Sequence, residues 1–126
     1  MFENLNLFQT AHAMARHAGQ RQAHVARNMG NADTPGFEPR DLASFKTQAE
    51  SAGIMKATRA THINAMTGLR DTQVVRDTST EPSPNGNRVS VEDEMLRAVD
   101  IKRQHDRALA IYRHSLTVLR SSLGRQ

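Results

Sequence analysis

Residues 89–123 read VSVEDEMLRAVDIKRQHDRALAIYRHSLTVLRSSL. Positions spaced alternately by four and three residues run through this stretch, which is the spacing of a coiled-coil seam. These positions are Val91, Met95, Ala98, Lys102, His105, Leu109, Tyr112, Leu116, Leu119 and Leu123. The stretch is therefore predicted to form one long helix. Lys102 and His105 interrupt the apolar pattern, which indicates either a loosely packed centre or a device that fixes register.

The ends of this helix carry the expected local signals. Ser90 followed by Asp93 resembles a capping box, in which a side-chain oxygen accepts a hydrogen bond from a free backbone N–H. Residues 92–94 are all acidic and lie at the positive end of the helix dipole. The basic residues toward the negative end are Arg113, Arg120 and Arg125. Capping and periodicity therefore indicate the same helix.

A second helix is predicted from Leu5 to about Met29. Its seam follows the same spacing, through Phe8, Ala11, Ala15, Ala18, Gln22, Val25 and Met29. Most of these side chains are small, which allows a close approach by more than one neighbouring helix. The pattern fits an assembly surface, and equally an ordinary amphipathic helix packed within its own small domain.

The region between the helices breaks periodicity with Pro and Gly residues at eight positions from 35 to 86. It is predicted to be mainly loop and partly disordered, with at most short pieces such as a helical turn over Leu42–Ala52 and a strand over Gln73–Val75. The predicted fold is mainly α: N-terminal and C-terminal helices pair as a coiled coil across a long loop region. The chain divides into residues 1–33, 34–88 and 89–126.

The composition predicts a thin core. Of 126 residues, 37% are hydrophobic and 4% aromatic, so few bulky side chains are available to offset the entropy of ordering the backbone. A partner is expected to complete the core. The net charge of +4 is spread along the whole chain, whereas a nucleic-acid-binding protein usually concentrates its basic residues.

No enzyme, metal or cofactor site is predicted. Cysteine is absent, which excludes disulfides and thiolate ligands. The six histidines form no ligand pattern, because the seven-residue spacing of His17 and His24 separates their imidazoles too far for one ion. No nucleophile elbow, Walker loop or dinucleotide motif is present. The N-terminus does not resemble a Sec signal peptide, and we expect no membrane span.

One segment is specific enough to indicate a family. Residues 28–37 read NMGNADTPGF. Thr34 before Pro35 favours extended backbone, Gly36 permits a left-handed turn and Phe37 can fold back as an apolar anchor, so the segment predicts a helix stop. It resembles the NxANxxTPGY/F signature of the flagellar axial proteins of the rod and hook. The resemblance singles out Asn28, Asn31, Asp33, Thr34, Pro35, Gly36 and Phe37.

Further segments narrow the resemblance to the proximal rod proteins of the B type. Arg40, Asp41, Leu42 and Phe45 look like the residues that follow the signature in that family, and Thr61, His62 and Ile63 resemble a motif midway along it. Residues 85–95, NGNRVSVEDEM, resemble the family's GNxVxLExEM block. Departures from the family pattern stand at Gly30, Ser90 and Val91. The resemblance spans nearly the whole chain.

The resemblance implies a structural, non-enzymatic subunit of the flagellar basal-body rod that helps transmit motor torque. It implies synthesis in the cytoplasm, export by the flagellar type III apparatus and assembly in the periplasmic space. The implied partners are other rod proteins, membrane-ring and export-gate components, a rod-base adaptor protein and further copies of the chain, with no small-molecule substrate and no cofactor.

The two helices are expected to polymerise through their apolar stripes. The residues expected at this interface are Phe8, Ala11, Ala15, Ala18, Val25, Met29, Met95, Leu109, Tyr112, Leu116, Leu119 and Leu123. The turn at residues 34–37 is expected to reach an adjacent protomer. The alternative is a soluble helical adaptor or chaperone-like module whose exposed heptad face binds one partner helix. That alternative predicts a folded, discrete dimer, whereas a rod subunit orders on assembly.

Overall fold

Two long helices dominate the computed structural model, which describes residues 2–46 and 74–124. Helix α1 spans Phe2–Gly30 and helix α2 spans Val91–Leu123. Between them lie two short strands, β1 at Arg40–Leu42 and β2 at Val74–Arg76. At 1.5 Å per residue the helices are about 44 and 50 Å long. The predicted mainly α fold, with paired terminal helices and short intervening pieces, is confirmed.

The ends of α2 follow the capping chemistry of the sequence. The Ser90 hydroxyl accepts a hydrogen bond from the Asp93 backbone N–H at 3.3 Å. At the other end the Gly124 N–H donates to the Arg120 carbonyl at 2.8 Å. Helix α1 begins earlier than predicted, at Phe2 instead of Leu5. Helix α1 ends at Gly30, shortly before the turn that contains Pro35. A stop in this region is expected because the residue before a proline disfavours helical backbone.

The helices form an antiparallel hairpin. Near one end the rings of Phe8 and Tyr112 meet edge to face, with centroids 5.2 Å apart. Further along, the Arg21 guanidinium donates to the Gln104 side-chain oxygen at 3.5 Å. Residue numbers rise along α1 while those of the contacting residues fall along α2, so the two helices are antiparallel. We call the end near Phe8 the open end and the end near Gly30 the closed end.

The core is narrow and built mostly from small side chains. Its central cluster contains Ala18, Val25 and Ile101, with Met29 and Ala98 packed against it. The buried residues of α1 on its α2 side recur every seven residues at 11, 18 and 25, and those of α2 recur at 94, 101, 108 and 115. Heptad spacing on both helices is the geometry of coiled-coil packing. The predicted coiled-coil pairing is therefore confirmed.

The predicted seam of α2 needs a correction. Its observed buried positions are Glu94, Ile101, Ala108 and Ser115. Each lies one residue before a predicted seam position, a rotation of about 100° at those sites. Met95 is 54% exposed, and the Lys102 ammonium lies at the surface and pairs with Asp106. The pattern of large apolar residues was misleading because two polar side chains occupy the buried face.

A two-stranded antiparallel sheet lies beside the end of α1. In its register Arg40 faces Arg76 and Leu42 faces Val74, and the Leu42 side chain is buried. The strand predicted at Gln73–Val75 is observed at Val74–Arg76, one residue later. Of the helical turn predicted over Leu42–Ala52, Leu42 lies in β1 instead, Phe45 and Lys46 are helical as predicted, and residues 47–52 fall outside the described residues. Residues 61–63 also fall outside them.

Candidate functional site

The signature segment and the loop before α2 bind each other. We call residues 34–37 the TPGF turn and residues 85–87 the NGN loop. The Gly36 backbone N–H donates to the Asn85 carbonyl at 3.1 Å. The Arg88 N–H donates to the Phe37 carbonyl, also at 3.1 Å. Two segments about fifty residues apart in sequence therefore form one connected backbone network.

Asn87 is the centre of this network. Its buried side-chain amide donates to two carbonyls, that of Asn31 at 2.9 Å and that of Thr34 at 2.6 Å. Its side-chain oxygen accepts from the Val89 N–H at 2.7 Å. These two carbonyls belong to the turn that follows α1, where they also accept the backbone N–H groups of Thr34 and Phe37, so Asn87 adds a second donor to each. One side chain thereby joins the end of α1 to the start of α2.

Two glycines make this close approach possible. Gly36 has φ 71° and Gly86 has φ 81°, backbone conformations that other L residues rarely adopt. A Cβ atom added at Gly86 would lie 3.4 Å from the Gly36 Cα. The TPGF turn and the NGN loop therefore touch through their backbones at a point where neither carries a side chain.

Asn28 fastens the first strand to the end of α1. Its side chain is buried, donates to the Arg40 carbonyl at 3.0 Å and accepts from the Arg40 N–H at 3.1 Å. This pair of bonds copies the pattern that a neighbouring strand would offer. The first residue of the signature thus has a physical use, because an amide at position 28 satisfies both backbone groups of Arg40.

Ion pairs connect the strands to the helices. Arg21 of α1 binds Asp41 of β1 through two hydrogen bonds, Nε to Oδ1 at 3.0 Å and Nη2 to Oδ2 at 2.6 Å. On the other helix, Arg97 pairs with Asp77, just after β2, and with Glu94 at 3.0 Å. Bidentate arginine–carboxylate pairs fix geometry as well as charge. Each strand is therefore held by a different helix.

Glu94 is the least satisfied member of this cluster. Its Oε1 accepts from Arg97, while Oε2 is buried with no hydrogen-bond partner among the described residues. Burial raises the pKa of the Glu94 carboxyl above its ordinary value, and the carboxylates of Asp41 and Asp77 raise it further against the opposing effects of Asn28 and Arg97. The negative charge of Glu94 is therefore disfavoured by its buried surroundings.

The two aspartates behave in the opposite way. Burial tends to raise the pKa of Asp41, but hydrogen bonds from Arg21 and the Leu42 N–H outweigh it and hold the pKa below its ordinary value. For Asp77, burial is likewise outweighed by hydrogen bonds from Ser79 and Arg97, and its pKa is lowered. Both carboxylates are stabilised as anions.

His17 fixes the chain just after β1. Its ring is buried, and its Nε2 donates to the Ala43 carbonyl at 2.8 Å. The Phe45 ring packs against it at a centroid distance of 5.7 Å. The sequence analysis considered this histidine only as a metal ligand. Its position four residues before Arg21, on the same face of α1, is the signal that both serve the same strand.

The outer face of α2 carries an exposed apolar surface. Met95, Leu96 and Val99 are 54%, 67% and 50% exposed and are spaced so that they adjoin one another on the helix. We call these three residues the outer patch. Tyr112, Val118 and Leu123 are further exposed apolar residues along the same helix. Hence part of the apolar side-chain area of α2 has no partner among the described residues.

The residues expected at an assembly interface divide into three groups in this structure. Several pack between the two helices of one chain, namely Phe8, Ala11, Ala18, Val25 and Met29. Ala15, Leu109, Leu116 and Leu119 are half-buried, while Met95, Tyr112 and Leu123 are exposed. An open groove of about 490 Å³ lies between α1 and α2, beside Gly19 and Val99.

The signature residues lie together at the closed end. Asn31 and Thr34 bond each other through their side chains at 3.2 Å, and Asp33, Pro35 and Gly36 are exposed. The turn expected to reach an adjacent protomer is therefore tied to its own chain through its backbone, with several of its residues still open to solvent. Contact with a neighbouring protomer stays a prediction.

Within residues 2–46 and 74–124, no group of histidine and acidic residues could hold a metal ion. Among the residues that the structure describes, no helix has the length and apolar character needed to cross a membrane. No family model matches the chain.

A curated relative decides the family. The chain is 34% identical, over an alignment of 110 residues, to the flagellar basal body rod protein FlgB of Agrobacterium fabrum strain C58. The alignment covers 81% of each protein. The chain belongs to the FlgB family. FlgB proteins are structural components of the flagellar basal body rod, and the paired helices described above suit such a role.

Family membership also gives the interlocked segments a context. Two of the blocks of sequence that resemble rod proteins, residues 28–37 and 85–95, bind each other at the closed end. In this FlgB-family chain, two separated parts of that similarity are therefore brought together in space. The sequence analysis identified both blocks and missed their pairing.

Proposed function

We propose that this chain is a structural subunit of the proximal rod that polymerises through its terminal helices and helps to transmit motor torque. The single observation that supports polymerisation best is the outer patch. Three adjoining apolar side chains, each about half exposed or more, stand on a helix whose other face already packs against α1. Burying such a surface against a neighbour is favourable at about 25 cal/mol per Å².

The proposed interface joins the outer patch to the sequence-predicted residues that remain accessible. Met95, Tyr112 and Leu123 are exposed on α2 and are available to a neighbouring subunit. The buried residues of the predicted set, such as Ala18 and Val25, contribute indirectly because they hold the two helices in one shape. Their small size keeps the helices close together.

The proposed partners are other rod subunits, with membrane-ring, export-gate and rod-base adaptor proteins at the base. The proposed route is synthesis in the cytoplasm, export by the flagellar type III apparatus and assembly in the periplasmic space. Family membership favours this proposal over the soluble adaptor. A contact repeated between subunits without closing generates an extended array, which is the architecture that a rod requires.

Substitution of Leu96 by Asp tests the proposal. Leu96→Asp is expected to abolish rod assembly and swimming in cells that lack the wild-type gene, because a carboxylate cannot be buried at an apolar contact without a large desolvation cost. Leu96→Met is the matched control, since it keeps the apolar surface, and it is expected to assemble. Swimming in soft agar and recovery of the protein in purified basal bodies are the two measurements.

Thermal unfolding of the purified chain separates assembly from folding. Leu96 is 67% exposed, so Leu96→Asp is expected to leave the unfolding temperature within a few degrees of wild type. Normal swimming by the Leu96→Asp strain contradicts the outer patch as an interface. Absence of the wild-type protein from basal bodies contradicts the rod function itself.

A further inference from the structure

Two arginines line a hollow beside the TPGF turn. The hollow has a volume of about 320 Å³, and it lies where the end of α1 meets β1. The residues that line it are Arg27, Asn28, Gly36, Phe37, Glu38 and Arg40. The hollow is thus formed largely by the signature segment and the residues that follow it.

The charges around the hollow are unbalanced. Neither the Arg27 nor the Arg40 guanidinium forms an ion pair or hydrogen bond with any described residue. Arg40 also faces Arg76 across the sheet, and like charges directly opposite one another are unfavourable. Glu38 lies 3.6 Å from the Arg76 guanidinium, but both side chains are more than half exposed, so that pair contributes little.

The backbone around the hollow is fixed in advance. Both backbone groups of Arg40 are bound by the Asn28 side chain, and the Gly36 N–H is bound by the NGN loop. A planar guanidinium matches a carboxylate through two parallel hydrogen bonds, and two arginines beside half-buried Phe37 provide such groups near an apolar surface. The chemistry of the hollow therefore suits a carboxylate side chain.

Carboxylates of the right kind lie at the same end of the molecule. Asp33 follows α1 directly, Glu81 precedes the NGN loop and Asp93 lies in the first turn of α2. All three are exposed, and none forms a side-chain ion pair with a described residue. Two copies placed side by side at the same height can therefore bring an acidic residue of one toward the arginines of the next. A contact of this kind is heterologous and can repeat.

We propose that the hollow receives an aspartate or glutamate side chain from an adjacent copy of this chain. The proposal rests on the proposed rod function and adds a lateral, charge-based contact to it. The acidic group enters between Arg27 and Arg40 and balances charges that no described residue of the same chain neutralises. The TPGF turn then contributes to assembly through the hollow that it helps to form.

Carbodiimide cross-linking tests this contact. Arg40→Lys keeps the positive charge and places a primary amine in the hollow, and a carbodiimide joins an amine directly to a carboxylate in contact with it. In purified basal bodies that carry this variant, we expect a cross-linked species of twice the subunit mass. Mass spectrometry is expected to place the link between position 40 and an acidic residue of the same sequence. Arg27→Lys repeats the test from α1.

Arg16→Lys is the matched control, because Arg16 is an exposed residue of α1 outside the hollow with no described partner. It is expected to yield no such species, and wild type likewise. A link from position 40 to a different rod protein, or no link in either variant, overturns the proposal while the rod function stands. If wild-type protein is absent from basal bodies, the proposed function fails instead, so the two failures are distinguishable.

Discussion

The two ends of the helical hairpin are stabilised by different kinds of interaction. At the closed end, directional hydrogen bonds and ion pairs link α1, both strands and α2, with Asn28 and Asn87 buried among them. At the open end, the helices meet through small side chains and the Phe8–Tyr112 ring pair. Directional bonds specify one geometry, whereas sparse apolar packing tolerates adjustment. The comparison indicates that the closed end fixes the shape of the subunit, whereas the open end is held by weaker and less specific packing.

The largest effect is expected from Asn87→Ala at the closed end. The change removes the donor to two carbonyls and the acceptor of the Val89 N–H, and it truncates a buried side chain. Three hydrogen bonds of about 0.5–1.5 kcal/mol each are lost together with the packing of that side chain, so the free energy of unfolding is expected to fall by about 4 kcal/mol. Urea unfolding followed by circular dichroism measures it. Asn6→Ala, at an exposed position of α1, is the control and is expected to change little.

A loss below about 1 kcal/mol for Asn87→Ala would show that water replaces the amide. The hydrogen bonds of the closed end would then fix its geometry no better than the packing of the open end does.

A smaller effect is expected in the middle of the hairpin, where two substitutions test the corrected seam. Ile101 is 2% exposed and belongs to the central cluster, so Ile101→Ala is expected to cost about 3 kcal/mol. Leu116 lies on the predicted seam but is half-buried, so Leu116→Ala is expected to cost about 1 kcal/mol in the isolated chain. Equal losses in parallel urea titrations would restore the predicted seam.

The smallest expected effect is a change of stability with pH that arises at the closed end. The folded pKa of Glu94 is raised above its ordinary value of 4.5, so the folded state binds the proton more tightly and stability rises as pH falls through the folded pKa toward 4.5. Asp41 and Asp77 have folded pKa values below 3.8, so the stability they contribute is lost as pH falls further. Unfolding temperature is therefore expected to reach a maximum near pH 4–4.5.

Glu94→Gln isolates the carboxyl responsible. In this variant the rise in unfolding temperature toward acid pH is expected to disappear, while the fall below pH 3.8 remains because Asp41 and Asp77 are unchanged. A rise that persists in the Gln variant would assign the effect to a different group and remove Glu94 from the account.

The helices were predictable because their signals are local. Ser90 with Asp93 marks the start of α2, and the TPGF turn marks the stop of α1. The rotation of the seam was not predictable, because the burial of Glu94 depends on Arg97 and that of Ser115 on its hydrogen bond to the Ile111 carbonyl at 2.9 Å. A hydrophobic pattern does not show that a buried polar side chain is stabilised by such a contact. The pattern therefore placed Met95 on the buried face.

The residues of the site could be predicted from the sequence, but their arrangement in space could not. The signature segment predicted a helix stop, and residues 85–95 were identified by their resemblance to rod proteins. Their pairing depends on one amide that reaches two carbonyls more than fifty positions away, a contact that no local periodicity encodes. Arg21 and His17 were missed for the same reason, since their partners lie in β1 and directly after it, and the position of that strand follows only from the assembled fold.

The bonds of Asn87 also set an order of events in folding. They join residues 56 and 53 positions apart, so they close a long loop, and closing a loop costs entropy that grows with its length. Because synthesis proceeds from the N-terminus, α1 and its turn exist well before residue 87 does. The hydrogen bonds between Asn87 and the turn after α1 can therefore form only once about two-thirds of the chain has been synthesised.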